Sequence, residues 1–349
     1  MMKNGKIRIG IIGTGNIAQN AHIPSFLKQE DVEIVAVCDA NEARVKEVAE
    51  KYSIRYYTTK IEDLVSMDEV DAVSICTSNN MHMVAAVAAA NAGKHILCEK
   101  PMAMNVSQAE AMLKAAKENN IIFMMGFVNR FRADSKVIKA FYDAGRFGEV
   151  YYARAVWLRR RGTPLGWFTD SSKSGGGPVI DIGVHIIDLA WYLMGKPKPI
   201  SVSSVTYSKI GNYKTKGVSR WVAYDTDNIV FDTKDSAAGL IRFENGASIS
   251  FDVSWAINSK NVGSHVQIFG SKAGARTNPL EIYDEQENYL IDSTPIINDE
   301  NPFDNEIAHF VECIRENKQP ICPAEDGYYI QKILNGIYDS AKLGKEITL

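Results

Sequence analysis

Three groups of residues in this chain have the types and spacing that chemistry needs. Gly13-Thr14-Gly15-Asn16-Ile17-Ala18 follows the apolar run Ile7 to Ile12 and leads into helical sequence, so the order is strand, GxGxxA, helix. In such a turn the first glycine makes the tight bend and the second lets backbone approach a pyrophosphate. The small last residue packs helix on strand, and the pyrophosphate meets a helix N-terminus. Asp39 ends the next apolar run about 20 residues on, where a carboxylate can accept both hydroxyls of an adenosine ribose. It would also repel a 2′-phosphate, so NAD is expected in preference to NADP. Arg44 follows Asp39 by one helical turn and is either a ligand for that phosphate or an ordinary exposed arginine.

The second group is His95-Ile96-Leu97-Cys98-Glu99-Lys100-Pro101, which puts a lysine just past the carboxyl end of a strand. Ligands of open α/β sheets bind at that edge. The third follows the triple glycine Gly175-Gly176-Gly177. In Pro178-Val179-Ile180-Asp181-Ile182-Gly183-Val184-His185, Asp181 and His185 are four apart and share one helix face. Histidine has the unperturbed pKa suited to moving a proton near neutrality. The pair also admits a metal or a purely structural reading. No third ligand stands nearby with metal-site spacing, so no metal is expected; a buried pair would be hydrogen-bonded in any case.

The elements that must position these groups have two grammars. Up to residue 125, short Ile- and Val-rich runs (Ile7 to Ile12, Glu33 to Cys38, Ala72 to Cys76, His95 to Cys98, Ile121 to Met125) alternate with helical segments. Ala85 to Ala92 stops at Gly93, and Ser107-Gln108-Ala109-Glu110 reads as a capping box. Apolar strands separated by helices imply a doubly wound parallel sheet. From 126 to 349 the alternation has period two, in Glu149 to Leu158, Ser201 to Ser208, Asp227 to Thr233 and Ser236 to Trp255. Asn245-Gly246 marks a hairpin within the last of these. Helical patterns at Asn305 to Asn317 and Glu325 to Leu343 close the chain. The expectation is an α/β protein with a Rossmann domain at 1–125 and a mainly antiparallel α+β domain at 126–349. That second sheet has another face to cover, and the apolar alternation around Val253 and Trp255 suggests a homodimer or homotetramer built through it.

The 349 residues carry 39 Lys and Arg against 42 Asp and Glu, a net charge of −3, with no basic run to follow a nucleic-acid backbone. No apolar stretch approaches the roughly 20 residues of a membrane helix, and the N-terminus lacks a signal peptide's apolar core. A cytoplasmic protein with no nucleic-acid or membrane partner is expected. Its five cysteines form no CxxC and are expected to be buried, reduced thiols.

In their order along the chain, the glycine loop, Cys76-Thr77-Ser78-Asn79 with His82, Glu99-Lys100-Pro101, Gly126-Phe127 with Arg130-Phe131, and Asp181 with His185 resemble the Gfo/Idh/MocA oxidoreductases. Pro320 to Gly327, Ile337 to Ala341 and Gly344-Lys345 look like that family's closing segment, so the resemblance covers nearly the whole chain. It implies NAD(P)-dependent oxidation of a secondary hydroxyl on a sugar, sugar derivative or cyclitol. Lys100 and His185 match the catalytic lysine and histidine, and Asp181 their helper. It also marks Gly13, Gly15, Asn16, Ile17, Asp39, Thr77, Ser78, Asn79, His82, Glu99, Lys100 and Asn129 as cofactor positions. Ser78 departs from the proline that many members have before the asparagine. Arg159, Arg160, Arg161, Trp167 and Asp170 are candidate pocket residues, with Arg159 and Trp167 foremost for substrate. Two other readings share these motifs: an NAD-retaining glycosidase that works by transient oxidation, and a non-catalytic dinucleotide sensor. The sensor would have no use for Lys100, Asp181 and His185 together.

Overall fold

The computed structural model describes residues 5–218, 220–223 and 230–349, which group into two compact units. The first comprises Met1–Gly126 and Asn301–Gln331, the second Phe127–Glu300 and Lys332–Leu349.

In the first unit, β1 (Ile7–Ile12), β2 (Val32–Cys38), β3 (Tyr56–Thr58), β4 (Ala72–Ile75), β5 (His95–Glu99) and β6 (Phe123–Gly126) form one sheet in the order β3-β2-β1-β4-β5-β6. Every pair in it is parallel. The strands are apolar nearly throughout because both faces are covered; Ile9, Ile11, Ile75, Ile96 and Leu97 are all fully buried. The order reverses direction between β1 and β4, and the carboxyl ends of strands flanking such a point are where ligands of these sheets bind. The short β3 is absent from the sequence reading, since Tyr56-Tyr57-Thr58 offers three residues and no periodicity. The helix Val106–Glu118 begins one residue before Ser107. Asn105 is its cap, with Oδ1 accepting from the Gln108 amide at 3.0 Å, so the expected capping box is displaced by a better acceptor upstream.

The single cut after residue 125 does not describe the packing. Asn301–Gln331 groups with the first unit, where the helix Pro302–Glu316 buries Ile307, Phe310 and Val311 and Asp304 accepts from Ser25 Oγ at 2.6 Å. An amphipathic helix far along the chain supplies cover that the local sequence does not announce. All five cysteines are buried and free, and burial beside Asp39 pushes the Cys38 thiol up to about 12.

In the second unit, β7 (Val150–Leu158), β8 (Pro199–Tyr207), β9 (Ser236–Phe243), β10 (Ser248–Ser254), β11 (Gly263–Gly270), β12 (Gly274–Arg276), β13 (Glu281–Gln286), β14 (Tyr289–Ser293) and β15 (Ile347–Thr348) form a nine-stranded sheet. Its order is β14-β13-β12-β11-β7-β10-β9-β8-β15. All neighbours are antiparallel except β7 and β10. The hairpin at Asn245-Gly246 joins β9 to β10, with Gly246 at φ +83°. Residues 230–233 of the expected strand Asp227 to Thr233 are not in a strand, and 227–229 lie outside the described residues.

The helix Val184–Leu193 packs on one face of this sheet, over Ala153 and Ala155 of β7, Phe251 and Val253 of β10 and Val266 and Ile268 of β11, all buried. Full burial of each such large aliphatic or aromatic side chain contributes roughly 1.5–3 kcal/mol. Val253 and Trp255, expected on an outward face, are themselves fully buried here. The side chains of one strand alternate between faces, and the register puts Val253 under the helix. The opposite face is the one left partly open, carrying Val156, Leu240, and Val205 and Tyr207 at 47% and 44% exposure. Arg130 anchors the covering helix from below: its guanidinium pairs with Asp188 through Nε to Oδ2 at 3.0 Å and Nη2 to Oδ1 at 2.5 Å, both residues about 1% exposed. Breaking a buried, bidentate pair of this kind costs about 3–5 kcal/mol.

Candidate active site

In the first unit the site is built around the carboxyl ends of β1, β2, β4 and β5. Gly13 donates its amide to Cys38 O at 2.7 Å, joining the loop to the end of β2. Its φ is +90°, and a Cβ there would stand 2.7 Å from the Cys76 carbonyl and the Thr77 amide, so only glycine lets the loop pass this close to the end of β4. A Cβ on Gly15, in contrast, would meet nothing within 4 Å. Helical turns begin immediately after it, at Asn16 and Ile17, both half-buried, and continue as a π turn over Ala18–His22.

Asp39 is far more engaged than its position in the sequence suggests. Oδ2 accepts from the Thr14 amide at 2.8 Å, Thr14 Oγ1 at 2.9 Å and Arg44 Nε at 3.2 Å, while Oδ1 accepts from the Asn41 amide at 2.9 Å and Arg44 Nη2 at 2.7 Å. Burial alone would raise this carboxyl, but the hydrogen bonds from Arg44, Asn41 and Thr14 outweigh it and hold the group below the usual carboxylate range. Thr14, the variable residue between the two glycines, is thus a structural partner that the motif does not specify.

At the end of β4, Thr77 Oγ1 is buried without a hydrogen-bond partner among the described residues. Ser78 Oγ donates to Asn80 Oδ1 at 2.8 Å, and Asn79, 6% exposed, opens a short 3-10 turn. His82 does not face outward as a ligand would. Its ring is fully buried, with Nδ1 2.8 Å from Pro101 O and Nε2 3.2 Å from Thr77 O, so it ties the loop after β4 to the loop after β5. Glu99 is likewise turned inward: Oε1 lies 2.9 Å from His22 Nε2 and Oε2 accepts from the Lys100 amide at 3.2 Å. Burial opposes the charge on Glu99, but the hydrogen bond from His22 and the cations His22 and Lys100 keep it ionised. His22, whose Nδ1 lies 2.8 Å from Ser74 Oγ, is invisible to motif reading because its partners come from β4 and β5. Half-buried Lys100 therefore leaves β5 from a backbone held on both sides, by Glu99 and by His82.

An open cradle over Gly15, a following helix N-terminus and the orphaned Thr77 hydroxyl are the environment a dinucleotide needs. The residues present fit that group.

In the second unit, Val179–Gly183 is a π turn that runs into the helix Val184–Leu193. Gly177 precedes it, where a Cβ would lie 2.1 Å from Lys234 O. The turn carries Asp181, whose Oδ2 accepts from Trp255 Nε1 at 2.8 Å and has Arg159 Nη1 at 3.9 Å. His185, half-buried at the start of the helix, tilts against Trp157 with ring centroids 5.8 Å apart. Arg159 also lies over Trp157, at 5.6 Å from the ring centre, and donates to Gly162 O at 3.0 Å. The structure thus brings Asp181, Arg159, Trp157 and Trp255 together around the element that bears His185. Trp157 is absent from the sequence reading, masked by the strand alternation of β7, and Trp255 enters it only as part of an outward face.

Other candidates fall elsewhere. Arg161 is fastened to Asn258 Oδ1 at 2.9 Å and to Ile257 O at 3.3 Å, and Arg160 is exposed. Asp170 caps the short helix Ser171–Ser174, accepting from Ser172 N at 3.0 Å. Trp167 stacks on Phe168 at 4.0 Å, which in turn meets Trp221 edge-on at 5.2 Å. Asn129 lies in the 3-10 turn Val128–Phe131. No cluster of three or more His, Cys, Asp or Glu residues arranged to hold a metal occurs among the described residues. Nor is any described helix long and apolar enough to cross a membrane.

Residues 7–127 match the oxidoreductase family described as having an NAD-binding Rossmann fold, and residues 136–276 match the GFO/IDH/MocA C-terminal domain. The chain is 33% identical over 353 residues to the D-glucoside 3-dehydrogenase of Escherichia coli (strain K12), covering 100% of this chain and 99% of that protein. It is 26% identical over 330 residues to the myo-inositol 2-dehydrogenase of Thermotoga maritima, covering 92% of each. Among solved structures, an oxidoreductase domain protein from Kribbella flavida superposes with a TM-score of 0.87 at 24% identity over 99% of both chains. A levoglucosan dehydrogenase in complex with NADH and levoglucosan superposes at 0.85 and 23% identity, over 98% of this chain and 99% of that one. These structural likenesses establish a shared fold.

Proposed function

The chain belongs to the Gfo/Idh/MocA family of NAD-binding oxidoreductases, and from that premise we propose that it oxidises, reversibly, a secondary hydroxyl of a sugar, sugar derivative or cyclitol. The observation that carries the reading is the grouping in the second unit: an imidazole tilted against Trp157, with a carboxylate one turn away fixed by Trp255 and flanked by Arg159. An indole face suits a ring of C–H bonds, the charged groups suit its hydroxyls, and the imidazole suits proton removal.

His185 is the base that takes the hydroxyl proton. Lys100 is the cationic donor that stabilises negative charge developing during the oxidation. Asp181, held in place by Trp255, orients the histidine. Gly13, Gly15 and the helical turn after them hold the pyrophosphate, Thr77 supplies a hydroxyl to the cofactor, and Glu99 and His82 position the strand end that carries Lys100. When bound, the nicotinamide supplies the hydride acceptor, and the protein supplies position and electrostatics. The D-glucoside 3-dehydrogenase relative makes glucosides the first substrates to assay.

The test is to incubate the purified protein with NAD and a panel of glucosides, free sugars and inositols, following both NADH and release of the glycosidic leaving group. Net NADH formed in step with a keto product is expected. Leaving-group release without net NADH would replace the dehydrogenase with the transient-oxidation glycosidase; neither signal with any member of the panel would remove the reading.

We further infer assembly into a homodimer or homotetramer through the face of the nine-stranded sheet that carries Val156, Val205, Tyr207 and Leu240, because a contiguous partly apolar face is normally covered. Sedimentation velocity should show a species of at least twice the chain mass at micromolar concentration, and Val205→Glu combined with Tyr207→Glu should shift it toward the monomer. A wild-type monomer at that concentration would overturn the assignment.

A further inference from the structure

Gly177 is the residue from which the turn carrying Asp181 starts. Its carbonyl accepts the amides of Ile180 at 3.0 Å and Asp181 at 3.1 Å, so the first bonds of the π turn Val179–Gly183 close on this one oxygen. On its other side the Gly177 amide donates to Tyr338 Oη at 2.9 Å, from a residue 161 positions away in the chain. Three successive glycines have no side chains to restrict the backbone, so hydrogen bonds and close packing must do it. A Cβ on Gly177 would lie 2.1 Å from Lys234 O, and one on Gly176 would lie 2.6 Å from Tyr338 Oη. Ser174 Oγ holds the start of the run, 2.8 Å from Gly176 O and accepting from the Gly176 amide at 3.3 Å. Tyr338 is itself placed by the sheet. It stands on the helix Ala324–Leu343, whose residues on either side of it dock on β8: Ser204 Oγ donates to Ile337 O at 2.5 Å, and the Ser204 amide donates to Ser340 Oγ at 3.0 Å. Burial pushes the phenol well above its usual range, so the hydroxyl stays neutral.

We propose that Tyr338 is a positioning residue for the reaction: its hydroxyl, through Gly177, fixes the π turn so that the Asp181 carboxylate is placed to orient His185. The path consists of two hydrogen bonds, Gly177 N to Tyr338 Oη and Asp181 N to Gly177 O. It ends on a residue whose side chain accepts from Trp255 Nε1 at 2.8 Å, so Asp181 is held at backbone and side chain alike. Tyr338 acts through the turn and not on the substrate. A displacement of about 1 Å at a catalytic group can cost on the order of 10²-fold in rate, and a hydroxyl that takes the slack out of a glycine run acts on that scale.

The proposal rests on the reading of Asp181 and His185 as parts of a dehydrogenase site, and the experiment separates the two. Full-length wild type, Tyr338→Phe, Asp181→Ala and the double variant are assayed with NAD and the panel compound that wild type oxidises fastest. Tyr338→Phe should lower kcat about tenfold while KM changes by less than about threefold, the pattern of a group that acts on the transition state. NADH affinity should not move, since the dinucleotide loop belongs to the first unit. Adding Tyr338→Phe to Asp181→Ala should cost less than about threefold more, because both changes act on one element. Hydrogen exchange followed by mass spectrometry should be faster over residues 175–183 in Tyr338→Phe and unchanged over residues 186–193. A Tyr338→Phe variant with wild-type kcat, effects that multiply in full in the double variant, or unchanged exchange over 175–183 would overturn the proposal and leave the dehydrogenase reading standing. If the phenylalanine variant does not fold, wild type decides: its amides at 175–181 should be as protected as those of Val184–Leu193, and exchange at the rate of an open loop would overturn the proposal. A wild type inactive on every panel compound would end the dehydrogenase reading and this role with it.

Discussion

Replacing His185 with alanine should lower the rate of hydride transfer at saturating substrate by about 10²- to 10⁴-fold, the usual contribution of a positioned general base. The helix that carries His185 is not held by that side chain. It is fixed by Asp188 on Arg130, by Val184, Ile187 and Leu189 in the core, and by the π turn before it. The variant should therefore fold, and NADH affinity measured by fluorescence should change little, since the dinucleotide loop belongs to the first unit. Asp181→Asn should be milder, because Oδ1 of the asparagine can still accept from Trp255 Nε1 while only the charge is lost. A His185→Ala enzyme with wild-type turnover across the pH range would show that another group removes the proton.

Lys100→Met should lower the same rate by about 10²- to 10³-fold, the loss measured when one preorganised donor to a developing oxyanion is deleted. Methionine keeps the length of the side chain and removes the charge and the donors. The backbone at this point is set by contacts that the substitution leaves alone: Glu99 on His22, and His82 between Pro101 and Thr77. Single-turnover rates and melting temperature measured together distinguish loss of the donor from loss of structure. An unchanged rate would deny Lys100 any part in the chemistry, whereas a lowered rate with a lowered melting temperature would mean that the strand end had moved.

Much of this was legible in the residues because the relevant spacings are short. The turn Gly13 to Ala18, the apolar strands beside it and the hairpin at Asn245-Gly246 each depend on contacts within one turn or one strand pair. Local sequence fixes such contacts through backbone sterics and periodicity. The outer strands β12 to β14 escaped, since they are short and carry polar, exposed side chains with little alternation to detect.

What the tertiary structure alone decided were the partners of each polar group. Asp39 stands at the end of its strand as the motif requires. That its oxygens are engaged by Thr14, Asn41 and Arg44 follows from how β1, β2 and the next helix meet. Glu99 belongs to a recognisable tripeptide, but its burial against His22 needs the π turn to lie over β5. Asp181 finds Trp255 at a separation of 74 residues, and Trp255 changes from a suspected outer-face residue to an interior one because β10 runs beside β7 beneath the helix. Asn301–Gln331 joins the first unit for a similar reason: an amphipathic helix shows that it needs an apolar partner, while its sequence does not say which surface will be that partner. Sequence fixes each residue's chemistry and its near neighbours, and only the folded topology brings together groups far apart in the chain, which determines whether a charged side chain is left available to a ligand or consumed by the fold.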